Sequence, residues 1–151
     1  MELHAENTKF SQNELAEPYD QRYCGALLIS KNGRAILQVR DDKPGIANPG
    51  MHTIFGGLQE PGESTVECVL RELQEEVTLA FTEDDLELLG YFNKTEANGT
   101  KTLCTVFCVR NVDAAQIDLQ EGQGIAELSP QEALASEKVS AVTKMAIQAS
   151  L

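Results

Sequence analysis

Basic and aromatic residues are scarce in this 151-residue chain. It has no tryptophan, 5 % aromatic residues, and 12 lysines and arginines against 24 aspartates and glutamates. The net charge of −12 argues against DNA or RNA as a partner, because binding a phosphate backbone requires a basic face. Any phosphate group that the protein handles must therefore be small, and a divalent cation is the natural means of reaching it.

Long apolar runs are also missing, so the sequence contains no candidate transmembrane span and no membrane partner is expected. The first twenty residues carry five acids and one lysine and lack the apolar stretch of a secretory signal, so we expect a cytoplasmic protein. We interpret residues 1–20 as a loosely ordered polar arm and residues 21–151 as a single domain. The length is enough for one domain with a proper core.

Four cysteines could suggest a zinc site, but their spacing does not support one. The cysteines stand at positions 24, 68, 104 and 108, no C-x-x-C pair is present, and there are two histidines. Cys104 and Cys108 fall in a segment with a strand pattern, where four residues separate them by roughly 13 Å. We therefore predict buried, reduced cysteines that serve packing.

The apolar and turn-forming residues that are present predict an α/β protein. Two pairs of strand-like runs are each joined by an Asn-Gly turn, which is a strong hairpin signal: Tyr23–Ser30 with Arg34–Arg40, and Leu86–Lys94 with Thr102–Val112. Helices are predicted for residues 64–77, for a stretch opened by Ser129-Pro130, and for residues 139–151. Because this order is not a regular βαβ alternation, a mixed sheet is favoured over a parallel one.

Residues 64–77 have the clearest helical signal. The apolar residues Val66, Val69, Leu73 and Val77 recur at the spacing of one helix face. A serine at position 64, with a glutamate three residues later, has the form of a capping box, which marks the start of the helix.

The same helix is predicted to present three carboxylates together. At about 100° per residue, Glu72, Glu75 and Glu76 fall on one arc opposite or beside the apolar stripe, where mutual repulsion costs a few tenths of a kcal/mol per pair. A divalent cation offsets that cost, since Mg²⁺ prefers carboxylate oxygens, waters and substrate phosphates. Arg71 can pair with Glu63 or hold one of the glutamates. The alternative is a solvated acidic face in a glutamate-rich protein.

A pattern of fixed spacing favours the functional interpretation. Six positions fit G-x5-E-x7-R-E-U-x-E-E, where U is apolar: Gly57, Glu63, Arg71, Glu72, Glu75 and Glu76. Chance occurrence in a chain of this length is roughly one in ten thousand, given ordinary residue frequencies. The pattern resembles the Nudix box, the signature of the Nudix (MutT-type) hydrolases. One position departs from it, because Thr78 stands where the box has a glycine, which we expect to alter the helix exit without removing a ligand.

The resemblance implies the Nudix fold, an α/β/α sandwich with a mixed β-sheet that binds Mg²⁺ or Mn²⁺. It also implies a pyrophosphohydrolase acting on a nucleoside diphosphate linked to another group. Glu75 and Glu76 would be direct metal ligands, Glu72 a further ligand or the base that activates water, and the Gly57 carbonyl another ligand. Glu121 resembles a loop glutamate that adds one more metal ligand in such enzymes, with an exposed turn acid as the alternative.

Other residues would orient the site or contact the substrate. The resemblance implies that Glu63 and Arg71 form a structural ion pair. Arg40 lies in the only net-basic stretch of the chain and is our choice for a phosphate contact, with a surface arginine at a strand end as the alternative. Phe55 could stack on a base, as could Tyr23 or the histidine at position 52, although each is equally suited to packing.

Several functional hypotheses remain open at the level of sequence. The substrate could be a nucleoside triphosphate, a nucleotide sugar or a dinucleotide. A catalytically silent Nudix-fold module that binds a nucleotide is the alternative, although such modules usually lose box glutamates and this chain keeps all four. An isomerase acting on an isoprenoid diphosphate ranks last, because it would need a cysteine with an acid partner over an apolar pocket. Small proteins of the family are often homodimers, and no feature of the sequence decides the oligomeric state.

Overall fold

Alternating apolar residues and glycine turns build a mixed sheet between two layers of helices. The computed structural model describes residues 2–5, 8–14, 18–45, 49–120 and 122–151. Within these residues the strands are β1 Glu2–Ala5, β2 Thr8–Ser11, β3 Gln21–Ser30, β4 Ala35–Val39, β5 His52–Thr53, β6 Phe55–Leu58, β7 Glu87–Thr95, β8 Lys101–Val112 and β9 Gly124–Leu128. The helices are α1 Thr65–Val77, α2 Pro130–Ala135 and α3 Ala141–Ser150.

The described strands form one sheet in the order β1-β2-β7-β8-β3-β4-β5, with β6 paired to β3 and β9 paired to β4. Strands β3 and β8 run parallel, and the other pairs are antiparallel. The predicted mixed sheet and α/β class are therefore confirmed. Both predicted hairpins are present, and their turns have Gly33 at φ 77° and Gly99 at φ 89°, a conformation that glycine adopts at little cost.

The core has two halves, one on each face of the sheet, because successive side chains of a strand point to opposite faces. Leu27 and Ile54 belong to the half that packs against α3, whereas Leu28 and Phe55 belong to the half that packs against α1. All four side chains are buried. The result is a helix–sheet–helix sandwich with α1 on one face and α2 with α3 on the other.

Interactions within a few residues mark both ends of helix α1. Ser64 accepts from the Glu67 backbone N–H, the Glu67 side chain accepts from the Ser64 N–H, and the predicted capping box is thus formed. At the other end, Thr78 has φ 58° and ψ 29°, the left-handed conformation that usually favours glycine. No helix in the described part of the chain has the length and apolarity of a membrane span.

The N-terminal segment differs from the loosely ordered arm expected over residues 1–20. Strands β1 and β2 pair as a hairpin, and β2 pairs with the edge of β7. Phe10 is only 2 % exposed, and its ring stacks on Phe92 with centroids 6.4 Å apart. One buried aromatic ring and backbone pairing attach the hairpin to the sheet. The polar composition of the segment does not indicate either of these interactions.

The cysteine prediction is confirmed by the positions of the side chains. All four thiols are free and buried. Cys104 and Cys108 lie on the same face of β8, and Cys24 and Cys68 belong to the core on the α1 side. Burial raises the pKa of Cys104, which keeps that thiol protonated at neutral pH.

Candidate active site

Two of the box glutamates reach the sheet at strand β6, where Gly57 leaves room for Glu72. A methyl group at Gly57 would overlap the Glu72 carboxylate, and one at Gly56 would meet the Tyr23 hydroxyl at 2.7 Å. The Gly56 N–H donates to Oε1 of Glu76 at 2.9 Å. Two carboxylates of α1 therefore lie against the backbone of β6, and a larger residue at position 57 would displace that of Glu72.

The three carboxylates expected on one arc differ sharply in burial. Glu76 is 2 % exposed, whereas the side chains of Glu72 and Glu75 are 15 % and 56 % exposed. Glu76 lies beside the buried Leu73 and Val77 on the face of α1 that packs against the sheet. Its carboxylate is held there by a backbone donor, as a buried charge requires.

Arg71 connects the carboxylates of this region. Its Nε and Nη2 donate to the two carboxylate oxygens of Glu63 at 2.6 and 3.0 Å. Its Nη1 donates to Glu72 at 2.9 Å and lies 3.3 Å from Glu75. The forked contact with Glu63 is the geometry in which arginine binds a carboxylate most strongly.

Electrostatics agree with a structural role for the Glu63–Arg71 pair. The Arg71 guanidinium, together with the backbone N–H of Glu60, lowers the pKa of the Glu63 carboxyl to about 2. Glu63 in turn raises the pKa of Arg71. Both groups are therefore charged across the physiological range, and they attach the loop before α1 to the helix.

The candidate ligand atoms at this site are oxygens, the type that a hard divalent cation prefers. The candidate donors are the carboxylates of Glu72, Glu75 and Glu76 and the carbonyl of Gly57, and Mg²⁺ prefers such oxygens. In the part of the chain that the structure describes, no three side chains of His, Cys, Asp or Glu already converge on one point. Arg71 and the Gly56 N–H contact these carboxylates instead.

The remaining predicted ligand, Glu121, lies outside the described residues. The chain just before it is attached to helix α1. Asp118 and Gln120 donate their backbone N–H groups to the carbonyls of Val77 and Glu76, at 3.2 and 2.9 Å, and so cap the end of α1. Residues 118 and 120 are therefore attached to the same helix as the box glutamates.

A cleft of about 300 Å³ opens beside these glycines on the α3 face of the sheet. Arg40, Tyr23, Gly56 and Gly57 line its near end. Burial and the nearby Glu76 carboxylate raise the pKa of Tyr23, so its hydroxyl stays protonated at neutral pH. The cleft thus begins at the two glycines of β6 that Glu72 and Glu76 contact from the α1 side.

The two predicted substrate contacts have different outcomes. Arg40 lines the cleft, and its contact with a phosphate stays a prediction. Phe55 is fully buried in the core on the α1 side, so its predicted role in stacking on a base is wrong. Its neighbour Ile54 lines the cleft instead, because adjacent residues of a strand point to opposite faces.

The far end of the cleft contains residues that the sequence did not single out. Gln21, Thr102 and Lys94 lie side by side on β3, β8 and β7, and Glu96 follows on the same side. No motif marks them, since they come together only through strand pairing. Residues 92 and 94 do alternate on one face of β7, with residue 96 just beyond its end, but a sequence alone does not tell which face meets a cleft.

Comparisons with known proteins agree on one family. A family model described as the NUDIX domain matches residues 20–146. No curated protein matches the chain in sequence. Among solved structures, the MutT protein from Methanosarcina mazei Go1 is similar, with 25 % identity, a TM-score of 0.73, and coverage of 89 % of this chain and 94 % of that chain.

Two further structures share the fold. A MutT NUDIX hydrolase from Burkholderia pseudomallei has 21 % identity and a TM-score of 0.72, with 87 % of this chain and 98 % of that chain covered. The dihydroneopterin triphosphate pyrophosphohydrolase of E. coli has 21 % identity and a TM-score of 0.66, with coverage of 87 % and 96 %. Since the family model spans most of the sequence and the box residues meet at β6, the chain belongs to the NUDIX family.

Proposed function

We propose that this protein is a metal-dependent hydrolase that cleaves the pyrophosphate bond of a nucleoside diphosphate linked to another group. The observation that carries the proposal is the contact of Glu72 and Glu76 with the glycines of β6, at the mouth of a nucleotide-sized cleft. The protein as a whole carries a charge of −12 and would repel such a substrate. A cation bound at the carboxylates would reverse the sign locally.

Four residues of the box share the role of holding the metal ion in this proposal. Glu72, Glu75, Glu76 and the Gly57 carbonyl would hold Mg²⁺ or Mn²⁺, with Glu121 as a further candidate ligand. Such an ion, when bound, polarises a phosphoryl group and lowers the pKa of water. A carboxylate that does not bind the ion accepts the proton of the attacking water.

The Glu63–Arg71 pair of the box and two residues outside it act on orientation and binding. Arg71 holds Glu63 at 2.6 Å and Glu72 at 2.9 Å, which keeps the loop and the helix in one arrangement. Arg40 would contact the phosphate chain at the near end of the cleft. The Tyr23 hydroxyl lies close to Gly56 and limits how deeply the substrate can approach the sheet.

A nucleotide-binding module without catalysis is the main alternative. All four box glutamates are present, and three of them contact Arg71 while the fourth accepts from the Gly56 N–H. A module that only binds has no need for this set of charges, which are costly to hold together. The intact set therefore favours hydrolysis.

One observation supports the second alternative, an isomerase acting on an isoprenoid diphosphate. Cys104 and Glu96 both line the cleft, so one cysteine does share a pocket with an acid. The polar side chains of Lys94, Gln21 and Thr102 at the same end are unsuited to a hydrocarbon chain, because burying unpaired polar groups is costly. Conversion of isopentenyl diphosphate that Cys104→Ser abolishes would establish this alternative instead.

The test is a phosphate-release screen with purified protein and Mg²⁺ or Mn²⁺. The substrates are nucleoside triphosphates, nucleotide sugars, dinucleoside polyphosphates and ADP-ribose. We expect turnover with at least one class, lost on chelation of the metal, and lowered at least about a hundredfold by Glu72→Gln or Glu76→Gln. The exposed Glu83 supplies a matched control, since Glu83→Gln makes the same chemical change outside the box.

Two outcomes would contradict the proposal. Metal binding by a folded protein with no turnover on any substrate would favour the binding module. Turnover that Glu72→Gln and Glu76→Gln both leave intact would show that the chemistry lies elsewhere. Circular dichroism of each variant separates loss of catalysis from loss of fold.

A further inference from the structure

The far end of the cleft carries a chain of polar contacts. Gln21 Nε2 donates to Thr102 Oγ1 at 2.9 Å, and that hydroxyl lies 3.5 Å from Oε1 of Glu96. The other oxygen of Glu96 lies 3.5 Å from Lys94 Nζ. The floor beside this chain is apolar, since the buried Phe92 lines the same cleft.

The spacing of the strands sets the distance between this polar end and the glycines of β6. Strand β7, which carries Lys94, is separated from β6 by β8 and β3. Three interstrand spacings amount to about 14 Å. An extended nucleotide spans this distance, with its phosphate chain at the glycines of β6 and its base at β7.

The order of hydrogen-bond donors and acceptors along Lys94 and Glu96 matches only some bases. The Lys94 ammonium is a donor, and the two Glu96 oxygens beside it are acceptors. The complementary edge is acceptor, donor, donor. Guanine and pterin carry this edge on an oxo group, a ring N–H and an amino group. Adenine and cytosine carry an amino donor beside a ring nitrogen that only accepts. One Glu96 oxygen would therefore face that ring nitrogen instead of a ring N–H.

We infer that this end of the cleft selects the 2-amino-oxo edge of a guanine or pterin ring. The inference rests on the proposed function, because it supplies the base end of the same substrate. Glu96 would accept from the ring N–H and the amino group, and Lys94 would donate to the oxo group. Hydrogen bonds to a charged group are the stronger kind, and an apolar floor strengthens them further.

An ordinary surface ion pair is the alternative explanation of Lys94 and Glu96. Exposed pairs of that kind contribute little to stability. These two side chains are only 33 % and 36 % exposed, and both line the cleft. Thr102, which is 4 % exposed, orients Glu96 from below and is itself held by Gln21. A carboxylate supported in this way is arranged for recognition rather than for solvation.

The test is calorimetric binding of monophosphates, which contain no pyrophosphate bond and so report recognition whether or not the protein is a hydrolase. The probes are GMP, IMP, AMP and neopterin monophosphate. IMP differs from GMP only in lacking the amino group. We expect GMP, the neopterin compound or both to bind about tenfold to a hundredfold more tightly than IMP and AMP, the effect of one hydrogen bond to a charged group.

Variants assign the effect to the two side chains. Glu96→Gln removes the preference for GMP over IMP, because the amide offers a single acceptor oxygen. Lys94→Met weakens GMP and IMP alike, since both keep the oxo group. Glu87→Gln is the matched control, because Glu87 is on β7, the strand that leads into Glu96, but pairs with Arg110 at 2.9 Å, outside the cleft. It leaves all four affinities unchanged.

The outcomes separate this inference from the proposed function. Equal binding of GMP and IMP, absence of binding by GMP and neopterin monophosphate, or a preference that survives Glu96→Gln would overturn the inference. Hydrolysis without base preference contradicts only the inference. Base preference without hydrolysis of any substrate supports the inference and contradicts the hydrolase. Tighter binding of one of the two ring systems identifies which of them is selected.

Discussion

Thr78 holds a backbone conformation that suits glycine better. Its φ of 58° costs a β-branched residue roughly 1–2 kcal/mol. Its hydroxyl lies 3.1 Å from the carbonyl of Asp118, a contact on the exposed surface that offsets only part of that cost. We therefore expect Thr78→Gly, which restores the glycine of the Nudix box, to raise the free energy of unfolding by about 0.5–1 kcal/mol.

Urea denaturation measures this change, and Asn111 provides the comparison. Asn111 has nearly the same φ, 59°, but asparagine tolerates the left-handed region. Asn111→Gly should therefore leave the midpoint of unfolding almost unchanged. A lower midpoint for Thr78→Gly would show that its hydroxyl contacts outweigh the backbone strain.

The Glu63 carboxyl makes stability depend on pH in a narrow window. Its pKa in the folded protein is about 2, below its ordinary value of 4.5, because of Arg71 and the Glu60 N–H. A carboxyl with a lowered pKa stabilises the folded state above pH 4.5, and this stabilisation is lost as the pH falls toward 2. We expect wild type to be more stable than Glu63→Gln at pH 7, with the difference shrinking toward pH 2.

Unfolding midpoints in urea at pH 7, 4 and 2.5 test this dependence. Glu60→Gln serves as the control, since Glu60 is 65 % exposed and 3.8 Å from Arg71, and exposed pairs contribute little. A difference between wild type and Glu63→Gln that stays constant over this pH range would contradict the assigned contact.

At the scale of elements, helix α1 depends on its capping box. Ser64 is exposed, so removing its hydroxyl leaves no cavity and isolates the effect of the cap. We expect Ser64→Ala to lower the free energy of unfolding by about 1 kcal/mol. Because α1 carries the box glutamates, the variant should also bind metal more weakly. Thermal unfolding and metal titration measure the two effects.

Threonine also caps helices, so Ser64→Thr separates the cap from other consequences of substitution. It should remain within a few tenths of a kcal/mol of wild type. Equal stability of Ser64→Ala and Ser64→Thr would mean that packing against the sheet, and not the cap, determines where α1 begins.

The elements themselves were largely predictable from the sequence. The start of α1 at the Ser64 box and the hairpin turns at Gly33 and Gly99 follow from interactions within a few residues. The buried state of Glu76 was not predictable to the same degree. It depends on a hydrogen bond from Gly56, twenty residues away, and helical spacing does not report such a partner.

At the scale of the whole molecule, the N-terminal hairpin stabilises the edge of the sheet beside the cleft. Phe10 is 2 % exposed and stacks on Phe92, which lines the cleft. We expect Phe10→Ala to destabilise the protein by about 3 kcal/mol, as truncation of a buried aromatic ring does. Chemical denaturation measures the loss, and hydrogen exchange of the β2 amides reports whether the hairpin detaches.

Tyr19 is the comparison for this variant, because it is 44 % exposed. Tyr19→Ala loses its contact with Arg22 and should cost less than about 1 kcal/mol, the range of exposed contacts. A Phe10→Ala variant as stable as Tyr19→Ala would contradict the anchoring role of Phe10.

The sequence by itself determined the chemistry of the box and the elements that carry it. Spacing within one short segment specified Glu63, Arg71 and the three helix glutamates, since those residues are close in the chain. Only the tertiary structure decided that Phe55 packs in the core and that Lys94 and Glu96 line the cleft. The physical reason is strand pairing: the parallel pairing of β3 with β8 joins residues about eighty positions apart, and no local pattern encodes that register.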